Sequence, residues 1–216
     1  HSPILLQPPI DFAQRGQVYE HNPNAYDPDG DSLSFTLIPP MQNRDEDVFG
    51  YYEPTGINNF TLDNYTGELV WDYPDTVGIY NIAILVEEFR NGQRIGYIVR
   101  DMQIIVMPGN NHPPVIDPID DLCVEAGGNA KLEVPLHASD QDASQLIVMT
   151  ANGGPFIQKG KRAELKPLKR IINYSDVYGT IEWEPSCDAI RKEPYSVVVK
   201  AKDSSVTNHA HLPLVD

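Results

Sequence analysis

The sequence predicts an all-β protein made of two tandem β-sandwich domains, residues 1–109 and 110–216. Three observations support this: a length of 216 residues, strand-like alternation of apolar side chains, and a set of motifs that occurs twice. The 15 Gly and 19 Pro are scattered along the chain. Such scattering is typical of many short strands joined by turns, and no stretch has the period of an amphipathic helix.

The repeat is visible as three motifs in the same order. Residues 26–33 (YDPDGDSL) correspond to 139–146 (SDQDASQL), 66–71 (TGELVW) to 178–183 (YGTIEW), and 78–82 (GIYNI) to 193–197 (EPYSV). The offsets of 113, 112 and 115 residues are nearly constant, which indicates two copies of one domain. Residues 107–114 (MPGNNHPP) form the predicted boundary, since proline cannot continue a strand ladder.

Strand patterns recur in both copies. The clearest pair of alternating apolar faces is Tyr80, Ile82, Ile84 and Val86 in the first copy and Tyr195, Val197, Val199 and Ala201 in the second. Further predicted strands are residues 33–38, 68–71, 98–106, 131–138 and 146–151, with turns at 63–67 and 90–92. Short strands at this spacing favour immunoglobulin-like sandwiches. Trp71 and Trp183 occupy equivalent positions, and we interpret them as core residues rather than carbohydrate-stacking platforms.

The chain is strongly acidic, with a formal net charge of −15. Residues 1–109 carry most of the excess, with 16 acidic against 5 basic side chains. Such a surface repels phosphate backbones, so nucleic-acid binding is not expected. No apolar run approaches the ~18 residues of a membrane-spanning helix, so no membrane span is expected either.

The most informative acidic segment contains Asp27, Asp29 and Asp31, with Gly30 between the last two. Carboxylates at every second position, beside a glycine that permits a tight turn, can surround a hard cation such as Ca²⁺. The alternative is an acidic turn that only precedes a strand. The second copy keeps Asp140 and Asp142 at matching positions.

A further carboxylate follows each predicted Tyr-initiated strand at the same distance. Glu88 lies eight residues after Tyr80, and Asp203 lies eight residues after Tyr195. Loops at one end of a sandwich lie together, so each should complete a cluster, and Asn110 and Asn111 of the linker could add carbonyl oxygens. The predicted calcium ligands are Asp27, Asp29, Asp31 and Glu88 in the first copy and Asp140, Asp142 and Asp203 in the second.

The two cysteines, Cys123 and Cys187, lack the CxxC spacing of a zinc site. We predict a disulfide between them, which would close a loop of about 64 residues and stabilise the fold by roughly 4 kcal/mol. The alternative is a pair of buried free thiols.

No catalytic motif is present: the sequence has no GxSxG, no HExxH and no glycine-rich phosphate loop, so no enzyme activity is expected. Paired carboxylates are abundant, so residue types alone do not exclude a glycosidase. Such an enzyme also needs a deep cleft, which sandwiches of ~100 residues rarely offer. The basic run at residues 159–170 is open to three interpretations: docking on the acidic first domain, binding an anionic polysaccharide, or forming a solvated loop.

Several stretches resemble the cadherin-like immunoglobulin-type repeats of bacterial surface proteins. They are residues 27–33 (DPDGDSL), 60–71 (FTLDNYTGELVW) and 78–80 (GIY). More narrowly, residues 96–106 (GYIVRDMQIIV), 113–116 (PPVI), 123–127 (CVEAG) and 153–156 (GGPF) resemble large gliding-motility-associated proteins of the Bacteroidota. Those proteins are exported by the type IX secretion pathway. The second copy departs from the calcium pattern at Ala143 and Ser144.

The resemblance implies a non-catalytic stalk or adhesin segment, outside the outer membrane and attached to it, with calcium at domain edges. Expected partners are other domains of the same long surface protein, the type IX machinery, and a polysaccharide or cell-surface target. The alternative function is a polysaccharide-binding accessory module of a secreted enzyme. Exposed, coplanar aromatic rings such as Tyr51, Tyr52 and Tyr65 would favour that alternative.

Overall fold

The computed structural model describes residues 1–43, 46–54, 59–128, 130–142, 145–166 and 175–204. The chain forms two compact units. The first comprises His1–Asn110 together with Asn152–Gln158 and Ile190–Val198. The second comprises Asn111–Ala151, Lys159–Ala189 and the chain from Val199.

Eleven strands lie among the described residues of the N-terminal segment of the first unit. They are β1 (Ile4–Leu5), β2 (Ile10–Gln14), β3 (Tyr19–His21), β4 (Ala25–Tyr26), β5 (Ser32–Ile38), β6 (Met41–Asn43), β7 (Glu46–Asp47), β8 (Phe60–Leu62), β9 (Leu69–Trp71), β10 (Gly78–Arg90) and β11 (Gln93–Met107). The main sheets have the orders β2-β11-β10-β5 and β3-β9-β8, which together make a seven-stranded sandwich. Strand β2 pairs parallel to β11, whereas the other pairs within these two sheets are antiparallel.

The long hairpin of β10 and β11 is the scaffold of the first unit. Its two-residue turn consists of Asn91 and Gly92, with φ of 53° and 77°. Positive φ at both positions is typical of the tight turn whose twist matches antiparallel strands, and Asn-Gly is the sequence that adopts it most readily. The predicted turn at residues 90–92 is thus confirmed. A register shift between Glu88 and Phe89 interrupts the ladder near this turn.

The core of the first unit lies between its two sheets. Its buried members are Ala13, Tyr19, Phe35, Leu69, Trp71, Ile82, Ile84, Val86, Met102, Ile104 and Val106. Trp71 is fully buried, with Phe60 and Tyr80 packed edge-on against it at centroid distances of 5.6 and 4.8 Å. This confirms that Trp71 is a core residue and excludes it as a carbohydrate platform.

The described part of the second half contains six strands and two short helical turns. They are β12 (Val115–Ile116), β13 (Leu132–Ser139), β14 (Leu146–Gly153), α1 (Gly154–Ile157), β15 (Glu164–Lys166), β16 (Asp176–Trp183), a 3₁₀ turn (Cys187–Ala189) and β17 (Val197–Ser204). The sheet orders are β12-β13-β16-β15 and β14-β17. The chain is therefore all-β with immunoglobulin-like sandwich architecture, as predicted.

Two details of the second half differ from the prediction. Strand β17 begins at Val197, so Tyr195 precedes the strand in which it was placed. The turn α1 was not predicted, because a four-residue helix is too short to show a periodicity. Trp183 is buried as predicted, and its indole N–H donates to the carbonyl oxygen of Lys161 at 3.1 Å.

Candidate metal centre

The loop between β4 and β5 is shaped by the side chain of Asp27. Its Oδ1 accepts hydrogen bonds from the backbone N–H groups of Asp29 and Asp31, each at 2.9 Å. Gly30 has φ of +82°, a conformation that favours glycine, and its N–H donates to the carbonyl oxygen of Asp27 at 3.3 Å. The predicted glycine turn is thus present, and it folds the loop around one buried carboxylate.

Three acidic side chains converge beside this loop. Asp27, Asp31 and Glu88 each place a carboxylate oxygen within 4.8 Å of the others. Their exposed fractions are only 1%, 7% and 5%. Glu88 arrives from β10, immediately before the register shift, and such irregularities commonly re-aim a side chain. The structure therefore brings together three of the four ligands predicted in the first copy; we call them the first acidic cluster.

Glu88 has room for its carboxylate because its partner across the ladder is a glycine. Gly96 of β11 pairs with Glu88, and a Cβ built at Gly96 would come within 3.0 Å of Glu88 Oε2. Sequence reasoning missed this role of Gly96, although a glycine inside a strand often marks a close approach of another group.

The charges of the cluster are unevenly compensated. Burial, a hydrogen bond with Asp31 and the neighbouring negative charges raise the pKa of Glu88 above its ordinary value. Asp31 is different, because the guanidinium of Arg90 lowers the pKa of this carboxyl. Arg90 donates to it from Nε at 2.8 Å and from Nη2 at 2.5 Å. Asp27 keeps a buried Oδ2 that has no hydrogen-bond partner among the described residues.

Asp29, the fourth predicted ligand, lies outside the first acidic cluster. The ring Nδ1 of His1 is 3.0 Å from Asp29 Oδ1. Nη2 of Arg90 lies 3.7 Å from Asp29 Oδ2. Alternation along the sequence suggested that all three aspartates face one point, but the turn at Gly30 directs Asp29 elsewhere.

The backbone of Asp27 is also held by a residue that is distant in the sequence. Arg191, which belongs to the first unit, donates from Nη1 to the carbonyl oxygen of Asp27 at 3.2 Å. Its guanidinium lies over the rings of Tyr26 and Tyr195, at 5.4 and 4.9 Å from their centroids. Cation–π contacts of this kind fix a guanidinium in place and thereby support the loop.

The first acidic cluster fits a hard divalent cation. A buried carboxylate oxygen without a partner is costly, and a cation that it could bind would offset that cost. The donors are all oxygens, which Ca²⁺ and Mg²⁺ prefer, and no sulfur or imidazole belongs to the trio. Asp27, Asp31 and Glu88 are the residues that would hold such an ion.

The second unit repeats part of this arrangement. Oδ1 of Asp140 accepts the N–H of Asp142 at 2.8 Å, while its Oδ2 is buried and has no hydrogen-bond partner among the described residues. Burial raises the pKa of Asp140, and the charges of Asp203 and Asp142 act in the same direction. Asp140 thus shapes its loop as Asp27 does.

The other two predicted ligands of the second unit are engaged by the linker. The amide of Asn111 donates to Asp203 Oδ2 at 2.7 Å and accepts from Gln145 at 2.7 Å. Burial raises the pKa of Asp203. The N–H of His112 donates to Asp142 Oδ2 at 2.6 Å, and this bond lowers the pKa of Asp142. In the described part of the chain, only the first acidic cluster brings three ligand atoms within 4.8 Å.

A histidine contact recurs in both units. The ring Nδ1 of His112 is 3.0 Å from Asp142 Oδ1, which matches the contact of His1 with Asp29. The sequence contains a signal for this pairing, because residues 1–4 (HSPI) and 112–115 (HPPV) are related by an offset of 111. Ala143 and Ser144, where the second copy departs from the calcium pattern, lie outside the described residues.

The predicted disulfide is wrong for this structure. Cys123 and Cys187 are both free, and both are exposed, so the alternative of buried thiols fails as well. Sγ of Cys187 lies against Gly127, where an added Cβ would come within 2.8 Å of it. The prediction relied on an isolated cysteine pair in a chain expected to be exported, whereas a disulfide also requires facing Cβ atoms.

Two lysines of the basic run at residues 159–170 form ion pairs with nearby glutamates. Lys161 donates to Glu184 at 2.6 Å and Lys166 donates to Glu182 at 2.8 Å, all within the second unit. Residues 167–170 lie outside the described part of the chain. Lys166 belongs to β15, so this described part of the run is a strand.

Comparison with known proteins gives only distant structural likenesses. No family model matches the chain, and no curated protein matches it. A crystal structure of human CDH23 EC21-23 is 15% identical, with a TM-score of 0.34, covering 94% of this chain and 68% of that one. A protocadherin gammaB7 EC3-6 cis-dimer structure is 11% identical, with a TM-score of 0.28, covering 93% and 46%. The fold assignment rests on the sheet order described above.

Among the described residues, none of the helices has the length and apolar character needed to cross a membrane.

Proposed function

We propose that this chain is a non-catalytic structural and adhesive segment of an extracellular surface protein, stabilised by Ca²⁺ at the first acidic cluster. The observation that supports this most directly is the buried Oδ2 of Asp27, unpartnered beside Asp31 and Glu88. A bound cation would join the β4–β5 loop to the end of β10. A repeat strengthened in this way is suited to mechanical spacing between surfaces.

The test is calorimetry with calcium and with a chelator. Because only the folded state assembles the three carboxylates, calcium at 100 times its dissociation constant should stabilise the protein by about 2.7 kcal/mol. Superimposable transitions in the two conditions would reject the site.

A matched pair of variants tests whether Asp27 is responsible for the calcium-dependent stabilisation. Asp27→Asn should abolish most of the calcium-dependent stabilisation, since an amide retains the oxygen for the loop but loses the charge. Asp63→Asn is the control, because Asp63 Oδ1 likewise accepts two backbone N–H groups, from Tyr65 and Thr66 at 2.8 Å. It should leave the calcium response unchanged. Equal loss in both variants would mean that general acidity, not this site, binds calcium.

The domain division at residues 109 and 110 belongs to the same proposal: two repeats of a longer surface protein, joined by the linker at residues 107–114. The resemblance to gliding-motility proteins favours export by the type IX pathway, attachment at the outer membrane, and partners among other repeats and surface ligands. Localisation of the native protein by surface proteolysis, with and without a type IX mutation, tests this part.

A polysaccharide-binding module is the second candidate. Tyr52 and Tyr65 are each 82% exposed, as stacking on sugar rings requires. Affinity electrophoresis in polysaccharide gels tests it, with Tyr52→Ala and Tyr65→Ala compared with the wild type. Unretarded migration of the wild type in every gel would remove this candidate.

A further inference from the structure

Arg90 is a partly exposed side chain that pairs with the buried Asp31 of the first acidic cluster. Its side chain is 52% exposed, whereas that of Asp31 is only 6% exposed. The contact is bidentate, with Nε on Oδ1 at 2.8 Å and Nη2 on Oδ2 at 2.5 Å. A two-pronged guanidinium–carboxylate pair is stronger and more directional than a single ion pair. Both oxygens of Asp31 are therefore engaged by Arg90.

This contact competes with the ion that the cluster would bind. Asp31 is one of three carboxylates within 4.8 Å of one another, so a cation among them would lie close to the guanidinium. Two positive charges at such a distance repel each other, and the cation would share the oxygens of Asp31 with Arg90. The guanidinium of Arg90 thus supplies, beside the cluster, a positive charge that a bound ion would otherwise supply.

We propose that Arg90 is a competing resident cation that sets the divalent-ion affinity of the first acidic cluster, and that Ca²⁺ binds by displacing its guanidinium from Asp31. This inference rests on the proposed calcium site and adds its regulation. Arg90 follows Glu88 by two residues and precedes the Asn91–Gly92 turn, so its exposed side chain can swing into solvent without moving the strand.

The same hairpin supplies a matched control. Arg94 is 49% exposed and pairs with Glu87 at 3.0 Å, and Glu87 is not part of the cluster. Arg90→Gln and Arg94→Gln therefore remove the same charge from neighbouring positions, but only the first uncovers Asp31. Arg90→Lys retains the charge and loses the two-pronged geometry.

The experiment is calorimetric titration of the whole chain with CaCl₂ at constant ionic strength, after circular dichroism has confirmed the fold of each variant. Arg90→Gln should tighten binding by roughly tenfold, because one nearby positive charge is removed. Arg90→Lys should lie between Arg90→Gln and the wild type, and Arg94→Gln should remain within twofold of the wild type.

Two outcomes would overturn the proposal: equal or weaker binding by Arg90→Gln than by the wild type, or equal tightening by Arg94→Gln. Absence of binding in all four proteins would reject it together with the calcium site. Binding by Arg90→Gln alone would reject calcium as a ligand of the native chain, and with it the displacement of Arg90 by Ca²⁺.

Discussion

Gly96 lies directly opposite Glu88 in the β10–β11 ladder, and a Cβ at this position would come within 3.0 Å of Glu88 Oε2. The absence of a side chain at Gly96 of β11 thereby determines where the Glu88 carboxylate of β10 can lie.

Gly96→Ala should weaken calcium binding while changing stability little. The added methyl group meets only the end of a flexible side chain, so the Glu88 carboxylate can shift by a few tenths of an ångström at small cost. We expect a change below about 1 kcal/mol in unfolding free energy, as is usual for substitutions outside the core. Titration with CaCl₂ and denaturant unfolding measure the two effects separately. Unchanged calcium affinity would show that the position of Glu88 is not critical.

Gly67→Ala should be distinctly more destabilising than Gly16→Ala. Both glycines have φ of +74°, so alanine is strained equally at both positions, at about 1 kcal/mol. A Cβ at Gly67 would come within 2.8 Å of the Phe35 ring, which is buried in the core, whereas Gly16 has open space around it. Overpacking should add about 1–3 kcal/mol at Gly67 alone. Urea unfolding of the two variants measures this difference. Equal losses of unfolding free energy would contradict the close contact between Gly67 and the Phe35 ring.

The first acidic cluster and the site predicted at Asp140, Asp142 and Asp203 should differ in calcium affinity. In the second unit, Asp142 is engaged by His112 and Asp203 by Asn111, so fewer free oxygens converge. Asp27→Asn should remove the tighter of two binding events, and Asp140→Asn should affect only the weaker. Titration of the two variants by calorimetry distinguishes them. The reverse assignment would show that neutral partners such as Asn111 promote binding more than a third carboxylate does.

The second unit should lose stability as the pH rises past neutrality, because of His137. Hydrogen bonds to Asp117 and then to Asp176, both at 3.0 Å, raise the pKa of this imidazole in the folded state. Its ring also stacks on Tyr178 at a centroid distance of 4.4 Å. The unfolded pKa is about 6.5. Stabilisation is therefore fully present below that pH and is lost as the pH rises through the higher folded value.

The measurement is thermal unfolding between about pH 5 and pH 9, for the wild type and for His137→Gln. Every other side chain is the same in both proteins, so the difference between the two profiles isolates His137. Asp117→Asn should reduce that difference by removing one carboxylate. Parallel profiles for the wild type and His137→Gln would contradict the role assigned to this residue.

Much of the sandwich could be predicted from local patterns. Burial of Ile82, Ile84 and Val86 follows from alternation along one strand, since successive side chains of a strand point to opposite faces. The turn at Asn91 and Gly92 follows from the preference of this dipeptide for positive φ. These features need no knowledge of distant residues.

The acidic cluster was predictable only in part. Asp27 and Asp31 were found from their spacing, and Glu88 from its equivalent position in the repeat. The contact of Arg90 with Asp31 spans 59 residues and the contact of His1 with Asp29 spans 28. The Arg90 pairing belongs to no motif, and the His1 pairing has a sequence signal only in the repeated stretches 1–4 and 112–115, which do not identify the partner of the histidine.

By itself, the sequence determined the all-β class, the strand alternation and which acidic residues could form a cluster. Periodicity and turn chemistry act between neighbours along the chain, and they are the same in any fold. Only the tertiary structure decided that Asp29 faces His1, that Arg90 pairs with Asp31, and that Cys187 lies against Gly127. Each of these contacts depends on how separate strands are placed relative to one another, and packing of the whole core sets that placement.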